Sequence, residues 1–163
     1  MTLQRLWAGW RGEYVATAGN PEVACVFCRI LDSGEDDEAT HILWRGRSVF
    51  AILNAFPYTS GHLMVMPYRH VAELEDLTAD ESAELWEAVT RSVRAVKQAY
   101  TPEGINIGVN LGRAGGAGIP GHVHVHVVPR WQGDTNFTTT VAETRVLPEA
   151  LDTSAAKLRS VLT

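Results

Sequence analysis

Three histidines alternate with valines in the run His122-Val123-His124-Val125-His126-Val127-Val128. Successive side chains of an extended backbone point to opposite faces. The spacing therefore predicts three imidazoles on one strand face and the valines on the other, with neighbouring histidines about 6.5–7 Å apart over two strand rises. A single histidine on an apolar strand is ordinarily a core residue with its hydrogen bonds satisfied. Three on one face each need partners where water is scarce, which points to chemistry or a metal rather than to packing. A neutral imidazole whose second nitrogen is held by an acceptor is a nucleophile toward phosphorus, because the acceptor fixes the tautomer and supports the charge that grows as the bond forms. His124, in the middle, is the candidate nucleophile. His126 is placed to orient or stabilise a phosphoryl group, and His122 to serve the adjacent shell or a metal.

The segment leading into this run, LGRAGGAGIPG over 111–121, is rich in glycine. Gly115, Gly116 and Gly118 allow backbone N–H groups to approach an anion without side-chain obstruction. A glycine-rich connector is by itself a common hairpin device; its place beside the histidines favours a phosphate cradle. Cys25 and Cys28, the chain's two cysteines, are spaced C-x-x-C. That spacing suggests metal binding or redox chemistry rather than a structural disulfide, and does not choose between them.

Several elements must position these residues. Short β-type runs over 41–44, 48–53 and 62–66 are separated by turn-prone Arg45-Gly46-Arg47 and by 54–61, which contains Pro57 and Gly61. Thr78 and Glu81 form a capping-box pattern, and Leu85, Val89, Val93, Val96 and Tyr100 recur at helical steps, so a helix is expected over 78–100, ended by Pro102 and Gly104. Residues 105–110 read as a further strand, 148–161 as a short helix, and the acidic stretch 32–39 as a solvated loop. Strands around one long helix, with too few helices for parallel crossovers, predict an α+β fold with an antiparallel sheet.

At 163 residues, 45% hydrophobic and 20% charged, the chain is expected to form one soluble domain. A net charge of −5 argues against broad attraction to nucleic acid. The absence of a long apolar run argues against a membrane span or secretory signal, so a cytoplasmic location is expected. Trp7, Trp10 and Tyr14 mark an aromatic arm over 1–24 that must bury its rings on its own domain or on a partner subunit. The remainder divides into a central domain over 25–140 and a C-terminal extension over 141–163.

His-φ-His-φ-His-φ-φ resembles the motif that names the histidine-triad (HIT) superfamily of nucleotide hydrolases and transferases. The resemblance extends through CVFCRI, NAFPYTSGHLMVMPYRHV and VNLGRAGGAGIPGHVHVHVVPRWQGDTNF, in the family's order, and is nearest to the bacterial branch of diadenosine tetraphosphate hydrolases and phosphorylases. It implies a five-stranded antiparallel sheet with one long helix and shorter flanking helices, paired in a homodimer whose two sheets form one surface. A homotetramer would follow if the aromatic arm joined two dimers. It implies His124 as nucleophile and His126 as its helper at the α-phosphate. It places His62 near the same site, Asn54 at the nucleoside sugar and Asn110 at the opening of the phosphate loop; from the residues alone, Asn54 and Asn110 read as turn or cap positions.

Members with an early C-x-x-C often bind zinc, which implies Cys25, Cys28, His70 and His122 as a closed structural site. The expected substrate is a dinucleoside polyphosphate, such as diadenosine tetraphosphate, accompanied by a divalent cation. Its adenosine would lie in an apolar cleft near Ile52, Asn54 and Phe56, and Trp131 would cover a base or leaving group or lie in a subunit interface. Water or inorganic phosphate would discharge the nucleotidyl-histidine. A nucleoside phosphoramidase, an adenylyl-sulfate-splitting enzyme and a nucleotide-binding module without turnover are the rival readings. One departure stands out: Ala117-Gly118-Ile119-Pro120 lacks the serine or threonine hydroxyl that many relatives carry before the triad. Histidine at position 126, where the sugar-1-phosphate uridylyltransferases have glutamine, argues against that branch.

Overall fold

The structure, a computed structural model, describes residues 25–135 and 148–162. The aromatic arm over 1–24, and the stretch in which the central domain is expected to pass into its C-terminal extension, lie outside the described residues.

Five strands, β1 (Ile42–Arg45), β2 (Val49–Leu53), β3 (Leu63–Pro67), β4 (Gly104–Val109) and β5 (Val125–Arg130), form one sheet in the order β1-β2-β3-β5-β4. Every pairing is antiparallel, as the sequence predicts. β2 and β3 are buried at every position because both faces of the sheet are covered. On one face Ala51, Leu53, Val65, Val125 and Val127 pack under α3 (Ala79–Tyr100) through Leu85, Val89 and Val96. On the other, Ile42, Phe50, Ile52, Met64 and Met66 meet Phe27 of α1 (Val26–Asp32). The histidines belong to this second face.

The capping box on α3 is present in both directions: Glu81 N–H donates to the Thr78 hydroxyl, and Thr78 N–H donates to the Glu81 carboxylate. Thr101, with φ 47°, turns the chain out of the helix before Pro102. The acidic stretch departs from the expected loop. Its start belongs to the end of α1, and Asp37–Thr40 forms a one-turn helix, α2, capped by the Asp36 carboxylate on Ala39 N–H at 2.8 Å.

The expected C-terminal helix is α4 (Leu151–Arg159). Its Arg159 guanidinium donates to the Ile42 carbonyl at 2.8 Å, which ties α4 to edge strand β1. Just before α4, the Glu149 carboxylate accepts from the Tyr100 hydroxyl at 2.5 Å and the Ser154 hydroxyl at 2.6 Å, and pairs with Lys157. No helix among the described residues is long and apolar enough to cross a membrane.

Candidate active site and metal cluster

The register of β5 decides which way its side chains face. His126 lies between Met64 of β3 and Gly108 of β4, while Val125 and Val127 enter the core beneath α3. Regular pairing begins only at Val125; the lead-in is held separately, by Val123 N–H on the Val71 carbonyl at 2.7 Å. The imidazoles nevertheless share one side. Phe27 meets the rings of both His122 and His124 at 5.4 Å, and the rings of His124 and His126 are 4.9 Å apart. They incline toward each other, so their separation is shorter than the strand rise suggests.

Hydrogen bonds fix which nitrogen of each ring carries the proton. His124 Nδ1 stands 2.7 Å from the His122 carbonyl oxygen, which can only accept. Nδ1 therefore carries the hydrogen, and Nε2 keeps its lone pair. A second chain starts at the Tyr58 backbone, whose N–H donates to His62 Nδ1 at 3.1 Å. His62 then holds its proton on Nε2 and donates it to His126 Nδ1 at 3.0 Å. His126 is left with a proton on Nε2. The site thus pairs one ring with a free lone pair and one with an N–H donor.

Burial favours the neutral form of the three triad rings. It pushes His122 and His124 below the usual histidine value, and brings His126 down to about 4 with a further push from neighbouring His124.

Asn54 and His62 are buried beside the triad, with the Asn54 amide nitrogen 3.3 Å from His62 Nδ1. Asn54 Oδ1 also accepts from Phe56 N–H at 3.0 Å, the turn bond expected of this residue type, while its amide nitrogen faces His62. Ile52 is 3% exposed inside the Phe27 cluster, whereas Phe56 is 78% exposed at the tip of the turn. Asn110 follows β4 directly, at the start of the glycine-rich loop.

Within that loop Gly116 adopts φ 90° and its N–H closes a turn on the Arg113 carbonyl at 2.9 Å. Gly115 packs against the Leu111 carbonyl, and Gly118 follows buried Ala117. Gly115 and Gly116 are thus required by the loop's own path as well as suited to a ligand. Trp131 packs edge-on against Tyr100 at 6.4 Å, near the end of α3.

Two residues of the site escape the sequence reading. The Tyr58 ring lies 4.5 Å from His62 and stacks toward His126 at 6.0 Å, and Phe27 walls the other side of the triad. An aromatic residue four positions before His62, and one inside the C-x-x-C, were the available signals.

Beside the triad, the ligand atoms of Cys25, Cys28, His70 and His122 all lie within 4.8 Å of one another. His122 Nε2–H donates to the Pro67 carbonyl at 2.9 Å, which leaves the Nδ1 lone pair facing Cys25 Sγ at 3.5 Å and Cys28 Sγ at 3.8 Å. His70 Nδ1 stands 3.4 Å from Cys28 Sγ. A ligating histidine is typically anchored in this way through its second nitrogen. Both cysteines are free, and burial with the neighbouring Cys25 pushes the Cys28 thiol up to about 11. Two thiols and two imidazoles converging on one point suit a soft, tetrahedral divalent cation, which would stabilise the Cys28 thiolate that burial disfavours.

Comparison with known proteins agrees with this geometry. The chain is 44% identical over 156 residues to the AP-4-A phosphorylase of Mycobacterium tuberculosis, covering 91% of this chain and 79% of that protein. The asymmetrical bis(5'-nucleosyl)-tetraphosphatase of Schizosaccharomyces pombe is 33% identical over 95 residues, 58% of this chain and 52% of that protein. The crystal structure of a Zn-bound histidine triad family protein from Mycobacterium smegmatis superposes with a TM-score of 0.69 at 30% identity, covering 85% of this chain and 93% of that one. The HIT domain family model matches residues 35–133, which contain the whole triad, and the chain belongs to the HIT family.

Proposed function

We propose that this chain cleaves dinucleoside polyphosphates, diadenosine tetraphosphate among them, through a nucleotidyl intermediate on His124. The observation that carries the reading is the 2.7 Å bond from His124 Nδ1–H to the His122 carbonyl, which leaves an uncommitted Nε2 lone pair in a neutral ring beside the N–H donor of His126. Nε2 attacks the α-phosphorus, and the bond to the bridging oxygen breaks with its electron pair leaving on ATP. His126 Nε2–H and amides of the 111–121 loop receive the charge on the nonbridging oxygens. An acceptor oxygen then attacks the adenylyl-histidine and returns the lone pair to Nε2. The phosphorylase relative supports inorganic phosphate as acceptor, which gives ADP; water would give AMP.

The adenosine is assigned to the surface around Asn54, Phe56 and buried Ile52, with Asn110 and Gly118 at the phosphates. A divalent cation would travel with the polyphosphate. Zinc is assigned to Cys25, Cys28, His70 and His122, where it would hold the N-terminal segment against the catalytic strand; a cytoplasmic location, which keeps thiols reduced, suits this donor set. The chain is assigned a homodimer through β4, an edge strand with Ile107 47% exposed. A tetramer would require the aromatic arm.

Product analysis on diadenosine tetraphosphate, with and without phosphate, tests the activity. ATP and ADP formed only with phosphate are expected from the wild type, and His124→Ala is expected to bind AMP yet release no product. AMP without phosphate would replace phosphorolysis by hydrolysis. Turnover surviving in His124→Ala, or turnover confined to phosphoramidates or adenylyl sulfate, would overturn the proposal.

A further inference from the structure

The loop LGRAGGAGIPG over 111–121 holds a single polar side chain. It contains no hydroxyl, amide or carboxylate, and Arg113 is its only charged group. The strand register sets where that charge stands. Gly108 pairs with His126 and Val109 with Val125, so β4 ends alongside the strand that carries the histidines. Arg113 follows Asn110 by three residues, which at 3.8 Å per Cα step is at most about 11 Å. Gly112, with φ 63°, reverses the backbone at this point. Gly116 N–H donates to the Arg113 carbonyl at 2.9 Å and Ala117 N–H to the Gly112 carbonyl at 3.2 Å, so the turn closes on itself with Arg113 at its corner.

The Arg113 side chain is exposed and makes no ion pair or hydrogen bond among the described residues. Arg45, Arg69, Arg130 and Lys157 are by contrast paired with carboxylates. Arg29, Arg94 and Lys97 also lack such partners, but they belong to α1 and α3 and not to the loop. A chain of net charge −5 needs a local cation to hold a polyphosphate at its strand ends. A guanidinium suits that task because its fork meets two phosphate oxygens at once.

We propose that Arg113 is a specificity-determining residue that binds the distal phosphates of the leaving group, so that the chain selects polyphosphate leaving groups over those without phosphate. The inference deepens the proposed function and rests on it. As His124 Nε2 bonds to the α-phosphorus and the bridging P–O bond breaks, the electron pair passes to the departing triphosphate. That chain gains one negative charge and takes no proton. A guanidinium already paired with it attracts it more strongly as the charge grows, which favours the transition state over the bound substrate.

The test uses the full chain as wild type, Arg113→Gln and Arg113→Lys, at one fixed Mg²⁺ and phosphate concentration. kcat/KM is measured on diadenosine tetraphosphate and on the p-nitrophenyl ester of AMP, which carries the same adenylyl group on a leaving group without phosphate. The ratio of the two values is expected to fall ~10–100-fold in Arg113→Gln, the usual worth of hydrogen bonds to a charged group. It should fall less in Arg113→Lys, which keeps the charge without the fork. Added KCl should depress kcat/KM on diadenosine tetraphosphate less steeply in Arg113→Gln than in the wild type.

An unchanged ratio would overturn the inference, whether activity is kept on both substrates or lost equally on both. So would Arg113→Lys falling as far as Arg113→Gln, since charge would then not be what the loop supplies. If the wild type turns over neither substrate, the proposed function fails, while calorimetric titration with inorganic tripolyphosphate still decides the role of Arg113. Arg113→Gln is expected to bind that anion at least ~10-fold more weakly than the wild type, and equal affinities would overturn the inference.

Discussion

A histidine nitrogen attacks phosphorus only while it is unprotonated, and burial extends downward the pH range over which His124, the proposed nucleophile, and its neighbour His126 stay neutral. Both have affinities for protons below the ordinary histidine value of 6.5, His126 down to about 4. The sign follows: at pH 6.5 the neutral form predominates in both rings, and half-protonation is reached only further down. The acid limb of kcat/KM on diadenosine tetraphosphate should therefore fall below pH 6.5, and a limb centred above that value would contradict the buried geometry. The three histidines and the cysteine pair were legible because alternation and C-x-x-C spacing are local patterns. The tautomers were not. They depend on a carbonyl two residues away, on a Tyr58 amide in a turn, and on His62 arriving from the end of that turn, just before β3, none of which a linear pattern encodes.

At the level of the elements, the first turn of α3 has a second task. Arg69, next to cluster residue His70, donates to both oxygens of Glu81 at 3.0 and 2.7 Å, and the same carboxylate completes the capping box with Thr78. Arg69 and the Thr78 N–H together hold the Glu81 carboxyl down to about 2, so the anion persists as pH falls through the ordinary value of 4.5. Thr78→Ala should destabilise the protein by about 1 kcal/mol in urea unfolding, the usual worth of an N-cap side chain. A loss within error would mean that Glu81 holds the turn unaided. This helix was legible because it combines a capping box with several turns of apolar periodicity. The helices α1 and α2, of 7 and 4 residues, were not, since neither is long enough for a period to emerge. β5 begins three residues later than the histidine run because the backbone at Val123 bonds to the loop at Val71 instead of to a neighbouring strand.

At the scale of the whole molecule, the two edges of the sheet are treated differently. Arg159 of α4 closes over β1, while β4 presents Ile107 and a largely exposed surface. If the proposed homodimer pairs through β4, the wild type should sediment as a dimer and Ile107→Asp as a monomer; a monomeric wild type or a dimeric Ile107→Asp would overturn that assignment. The sequence showed the strands and their antiparallel sense, yet which strands would form the edges depended on the insertion of β5 between β3 and β4. That arrangement is set by non-local pairing.

Tyr100 joins parts of the chain that lie far apart in sequence. Its hydroxyl is gripped by Glu149, Trp131 leans on its ring, and a side chain at Gly61, where φ is 78°, would come within 2.6 Å of it. The turn that delivers the Tyr58 amide and His62 thus rests on a floor that the C-terminal helix braces from below, although that helix lies beyond the residues matched by the family model. A chain cut short before Glu149 should keep its sheet by circular dichroism and lose the proposed adenylyl transfer first, as the floor tilts and the hydrogen-bond chain from Tyr58 through His62 to His126 goes out of line.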